Sequence, residues 1–400
     1  MTTRRTLLLL AGSGLAAAAT GCREPAAKAT EAALPDVVLA DSTRGLLRLF
    51  PGGEQRLGSA VVAFDGAHVY ARQDADLVRF DPATGATTRS TALGGGWLPR
   101  AVSADGRACA LGRTPAEVRP VARARTPLLI TGPDGDREYD LPGVIEPDAF
   151  TTDGQGLFVL DWLPANAPET YRVRLLDLTT GELQPLLTRN KVPVPAGAEE
   201  EMRGEGRQAV LSADRQMLFT LYTHQPGHRH TRDLVSGRPG NAHAFVHVLH
   251  LTERWAYCLD LPHPFGEGGM DGHALAADQH RIAVVDLNSG KLAYAGPSSL
   301  TVEQVVDVRP AAGATAALIL TTDGRTLIGG GDAVTVLDTA AHTPIARWEL
   351  PAPIKGLALS RDGARLYAGA ERRLIWLDAT SGKRAGQREV IGLTAVKQVL

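Results

Sequence analysis

Apolar residues come along this chain in short runs, separated at intervals by Asp, Gly, Pro, Ser and Thr. The stretch Lys355 to Arg388, KGLALSRDGARLYAGAERRLIWLDATSGKRAGQR, holds one whole cycle of the pattern. Gly356 to Ser360 and Arg365 to Ala370 read as strands joined by Arg361-Asp362-Gly363, where the Asp side chain closes the turn and the Gly accepts a positive φ. Leu374 to Asp378 is a third strand, and Ala379-Thr380-Ser381-Gly382 turns it into a fourth at Lys383 to Arg388. Ile375 and Leu377 share one face of the third strand and Leu374 and Trp376 the other, so both faces must be covered. A small sheet covered above and below by copies of itself is the situation inside a β-propeller.

The cycle recurs. Its first turn appears at Ser103-Ala-Asp105-Gly106, Thr151-Thr-Asp153-Gly154, Thr321-Thr-Asp323-Gly324 and Ser360-Arg-Asp362-Gly363, with degenerate copies at Phe64-Asp65-Gly66 and Ser212-Ala-Asp214-Arg215. Its third strand and second turn appear from Leu77, Val173, Ile282, Val334 and Leu374, and more loosely from Leu46, Leu128 and Phe245. These residues, S-x-D-G followed by an apolar strand, L-D and then T-G, resemble the YVTN and WD40-like propeller repeats of bacterial surface proteins. The resemblance implies an all-β fold, a single propeller of four-stranded blades.

Eight third strands set eight blades, with seven as the alternative because the sixth copy shows no inner strand in His263 to Gly272. The first copy, from Val37, lacks an inner strand, and Val390 to Leu400 is an apolar strand without a blade. Joining the two ends closes the ring and leaves no open sheet edge.

The N-terminus is an address. Arg4 and Arg5 precede about 13 apolar or small residues, too few to span a bilayer. Thr3 to Leu8 resembles a twin-arginine export signal, and Ala19 to Cys22 resembles a bacterial lipobox, which would make Cys22 the acylated first residue of the mature protein. The expected division is therefore an export signal over 1–22, a flexible tether over 23–35 and the propeller over 36–400. The expected location is extracytoplasmic, anchored in the bacterial cell membrane. A net charge of −2 gives no electrostatic footprint for nucleic acid. Apart from Cys22 the cysteines are Cys109 and Cys258, each in an apolar strand of a different blade, and both are expected as buried, inert thiols.

The fifth copy departs from the rest. From Val173 to Phe245 its spacing is 72 residues, and the excess sits in two insertions, Asn190 to Arg207 and His224 to Ala242. Nine of the eleven histidines lie between His224 and His280. His224, His228 and His230, with His243 and His247 on one face of an extended strand, are the candidate ligands for Zn(II) or Cu(II), with Asp233, Glu267 or Asp271 completing the shell. The acidic run Glu199-Glu200-Glu201 is expected in solvent, and the repeated Asp residues as turn-formers.

The chain shows no Cys-x-x-Cys, no His-Glu-x-x-His and no phosphate-binding glycine loop, so no catalytic residue is assigned. The leading expectation is a monomeric, lipid-anchored binding or scaffold protein offering a propeller face to a protein, peptide or glycan. The alternatives are a propeller enzyme of the lactonase, lyase or oxidoreductase kind, its active site in the central channel, and a metal-binding or redox-sensing protein that uses the histidine insertion.

Overall fold

The repeated turn forms as its residues dictate. Ser103 Oγ donates to Asp105 Oδ1 at 2.6 Å and accepts the Ala108 N–H at 2.9 Å, while Asp105 accepts the Arg107 N–H at 3.0 Å. The same hydroxyl-to-carboxylate bond recurs at Thr151–Asp153, Ser212–Asp214, Thr321–Asp323 and Ser360–Asp362. These aspartates are thus turn-formers. In the degenerate copy Arg215 takes the glycine position at φ 62°, a conformation that costs a residue with a Cβ about 1 kcal/mol.

The structure, a computed structural model, describes residues 33–64, 66–94, 96–114, 119–204, 207–309 and 315–400. Arg4, Arg5 and Cys22 lie outside the described residues. The described strands form eight sheets, seven of four strands and one of five, and the molecule is an eight-bladed β-propeller. The first strands of successive blades touch one another along most of the ring, so they line its centre. Apolar side chains fill the gaps between blades; Phe158, Trp162 and Tyr171 of blade 4, for example, pack with Leu218 and Phe245 of blade 5.

Closure follows the expected route. Val38–Ser42 lies between Gly45–Phe50 and Leu393–Val399, with Val38 opposite Val399 and Ala40 opposite Val396. Both ends of the described propeller therefore build blade 1.

One strand reading shifts. Ile282–Asp286, expected as a third strand, is the second strand of blade 6, with His273–Ala277 as its first and Lys291–Ala295 as its third. The Asp-x-x-Ser-Gly turn that elsewhere follows a third strand here follows the second, with Asp286 Oδ1 accepting the Asn288 and Ser289 N–H groups at 2.9 and 3.3 Å. The fourth strand, Val302–Asp307, completes the blade, so the count stays at eight.

Blade 5 carries the exceptions. Its four strands are Gln208–Leu211, Met217–Tyr222, Phe245–His250 and Trp255–Asp260. The short strand Leu187–Thr188 pairs parallel with Trp255–Ala256 and covers the outer edge. The first insertion follows this strand, and the second joins Met217–Tyr222 to Phe245–His250.

Candidate functional site

Two residues of the acidic run, Glu199 and Glu200, do not lie in solvent, which corrects the sequence reading; Glu201 is exposed as expected. Met202 exchanges backbone hydrogen bonds with Tyr171 at 2.8 and 2.9 Å, laying the extended segment beside the third strand of blade 4, Thr170–Asp177. Successive side chains of an extended segment point to opposite sides. Glu199 faces Arg172 and Arg174 at 2.9 and 3.2 Å, and Glu201 accepts a hydrogen bond from Thr170 at 3.1 Å. Glu200 points the other way, into blade 5.

The second insertion supplies what Glu200 meets. Its helix, Thr231–Ser236, starts after His230 and stops at Gly237, whose φ of 70° is the left-handed conformation that ends many helices. The Gln225 side chain bonds both the N–H and the carbonyl of Arg203, at 2.9 and 3.0 Å, and so ties the two insertions together. His228 stacks on Phe245 with ring centroids 4.5 Å apart, and His230 meets the same ring edge-on at 5.1 Å.

One carboxylate gathers the donors. Glu200 Oε2 lies 3.3 Å from His228 Nε2, 3.1 Å from His230 Nδ1 and 3.0 Å from Cys258 Sγ, while Glu200 Oε1 accepts the Thr231 N–H at 2.7 Å. One ligand atom each from Glu200, His230 and Cys258 all lie within 4.8 Å of one another. His230 Nε2 is held by Asp260, which is itself bonded to Arg232. His247 stands directly across the sheet from Cys258, so both side chains leave the same face.

Burial alone would raise the Glu200 pKa, but hydrogen bonds from His228 and His230 and the charge of His230 hold it well below the usual carboxylate range. Burial would lower His230; Asp260 and Glu200 outweigh it and raise it to about 9. Burial pushes His247 down to about 4, so its imidazole is neutral at pH 7. Burial and the Glu200 carboxylate push the Cys258 thiol well up. A thiol in that state is a poor nucleophile; a cation would have to displace its proton.

Of these groups Glu200, His230, His247 and Cys258 form the floor of a cavity of about 520 Å³. Its walls come from Val173 of blade 4, from Leu187, Ala256 and Tyr257 of the outer strands of blade 5, and from both insertions. No residue of the innermost strands of blades 4 and 5, Val144–Phe150 and Gln208–Leu211, is among the lining residues. The pocket therefore opens on the flank of the ring. A separate cavity of about 320 Å³ is lined by residues of several innermost strands, and its two carboxylates, Glu146 and Asp148, face Arg100 and Arg207.

Three of the five candidate histidines come together here: His228, His230 and His247. His224 does not, because its ring lies between Thr223 Oγ1 and the Gly268 carbonyl at 2.9 and 2.6 Å. His243 precedes the strand that carries His247 and is not among the residues around Glu200; its carbonyl accepts the Gln225 N–H at 2.9 Å. The carboxylates proposed for the shell are elsewhere too: Asp233 bonds the His230 N–H, Glu267 faces His263, and Asp271 is exposed. Cys109 and Cys258 are free and buried as expected, but Cys258 belongs to the site. The sequence reading does not single out Glu200, Asp260 or Cys258 as site residues. The one signal in the sequence was their position, Glu200 inside the first insertion and Asp260 in the strand paired with His247.

No protein-family model matches the chain, and no curated protein matches it. Solved structures do. Dihydro-heme d1 dehydrogenase NirN in complex with DHE shares 14% identity, with 92% of this chain and 76% of that one covered and a TM-score of 0.54. Apo AztD from Citrobacter koseri shares 10% identity, with 91% and 97% covered and a TM-score of 0.52. The likeness is one of fold. It places the chain among β-propellers and carries no residue of the pocket with it.

Proposed function

We propose that the protein is an extracytoplasmic binding propeller that holds a transition-metal ion, Zn(II) foremost, on the floor of the blade 5 pocket. The observation that carries this reading is the convergence of Glu200, His230 and Cys258 on one point, with the second nitrogen of His230 held by Asp260. A mixed carboxylate, imidazole and thiolate set suits Zn(II), which takes oxygen and nitrogen at about 2.0 to 2.2 Å and sulfur at about 2.3 Å. A carboxylate on the far nitrogen of a ligating histidine fixes its orientation and raises its basicity. Three protein ligands beside a cavity leave a fourth position for water or a ligand, as in sites that exchange or react rather than those that only brace a fold. His228 and His247 stand next to the ion in this arrangement.

Metal-free protein titrated with Zn(II) by calorimetry should take up one ion per chain, and Cys258→Ser should weaken uptake at least about tenfold, the low end for losing a metal-shell partner. No uptake, or uptake unchanged by Cys258→Ser, would end this reading.

The location belongs to the same proposal and rests on the sequence of 1–22 alone. Acylation at Cys22 would hold the pocket at the outer face of the cell membrane, where it meets ligands from outside. Cys22→Ser should leave the membrane fraction or keep the mass of the unprocessed chain; a variant with wild-type fractionation and mass rules the anchor out.

A further inference from the structure

The cavity is much larger than an ion requires. A water occupies about 30 Å³ of liquid, so a hydrated metal fills a small part of about 520 Å³. That volume is the size of an organic-ligand pocket. One wall beyond the floor is apolar: Leu186 and Leu187, Val194 and Ala256. At the mouth Val235 is 63% exposed, and Val192, next but one to the lining residue Asn190, is 58% exposed. Apolar side chains left in water around an apolar pocket are surface a ligand can cover.

Charge selects the ligand's head group. Among the lining residues Glu199 is paired with Arg172 and Arg174, Glu200 with His228 and His230, and Arg232 with Asp260. Arg189 is different: it donates to the carbonyls of Ser298 and Ser299 at 2.9 and 3.3 Å, and its guanidinium lies over the Tyr257 ring at 5.5 Å. Neutral carbonyls and a ring position this cation without cancelling it. A guanidinium has five N–H donors, so several are free to meet a carboxylate.

We propose that the cavity binds an amphipathic monocarboxylate, its apolar tail along the Leu186, Leu187, Val194 and Ala256 wall and its carboxylate at Arg189. The proposal shares its cavity with the metal reading but does not need the ion, since the apolar wall and Arg189 are in place without it.

Calorimetric titration of the purified full-length protein, metal-free and zinc-loaded, with octanoate, octylamine and acetate separates the two. Octanoate should saturate one site per chain in both preparations, with octylamine and acetate binding far more weakly. Arg189→Gln should weaken octanoate about fivefold, the upper range for one exposed ion pair. Ala256→Phe, which fills the wall, should remove octanoate binding while circular dichroism and thermal unfolding show the fold retained. Octanoate failing to saturate either preparation overturns the proposal, as does equal binding of octylamine or undiminished binding by Ala256→Phe. A failure of the metal reading looks different: no zinc is taken up, and octanoate binds as before.

Discussion

Glu200 shows how much one side chain's direction decides. Its neighbours Glu199 and Glu201 meet Arg172, Arg174 and Thr170 on the flank of blade 4, and the alternation of an extended segment turns Glu200 the other way, toward His228, His230 and Cys258. A buried carboxylate is tolerated only with donors around it. Here the Thr231 N–H, both histidines and the Cys258 thiol supply them. Removing the cationic partner leaves the charge under-compensated, so His230→Ala should cost the metal-free protein about 3 kcal/mol, the low end for a broken buried pair because His228 and the Thr231 N–H stay. Cys258→Ser should cost less than about 1 kcal/mol, because a hydroxyl can donate to Glu200 from nearly the same place. Denaturant unfolding of the two variants checks the difference, and equal losses would mean that Glu200 does not depend on the His230 charge. The serine variant is accordingly the cleaner probe of metal uptake.

At the scale of the elements, the repeat was legible because each turn is built from residues within five positions of one another, as in Ser103, Asp105 and Ala108. Strand order followed where a turn motif kept its place in the cycle. It slipped in blade 6 because Asp286 to Gly290 forms the same local turn one strand early, and local chemistry does not say which strand it follows. The insertions were legible as insertions, by length and by histidine content. Their packing was not. His230 and Glu200 are 30 residues apart and Glu200 and Cys258 are 58 apart, so only the fold brings them together. The second insertion is also more than a surface loop: His228 lies on Phe245 within the packing between blades 4 and 5, and Gln225 clamps the first insertion. Histidine density pointed to the right element, while Glu200 and Cys258 looked like a solvated charge and a core thiol because sequence shows composition and not direction.

The whole ring depends on how its ends meet. Besides the pairing of Leu393–Val399 with Val38–Ser42, Asp36 reaches from the start of blade 1 to blade 8, where it accepts hydrogen bonds from Arg365 Nε at 2.7 Å and Tyr367 Oη at 2.6 Å. Burial would raise the Asp36 pKa, but the hydrogen bonds from Arg365 and Tyr367 and the charge of Arg365 prevail and lower it from 3.8. A carboxylate with a depressed folded-state pKa binds fewer protons in the folded chain than in the unfolded one. Its contribution is therefore complete above the unfolded value, near 3.8, and fades as pH falls through the lower folded value. Asp36→Asn should lower the unfolding temperature at neutral pH, and the gap to wild type should narrow below about pH 4 and close as the wild-type carboxyl protonates. The difference between the two melting curves cancels the titration of acids that do not interact with Asp36, leaving this latch and Asp362, which shares Arg365 with it. A gap that is absent at pH 7, or that widens on acidification, would show that the charge of Asp36 does not help to hold the ring shut.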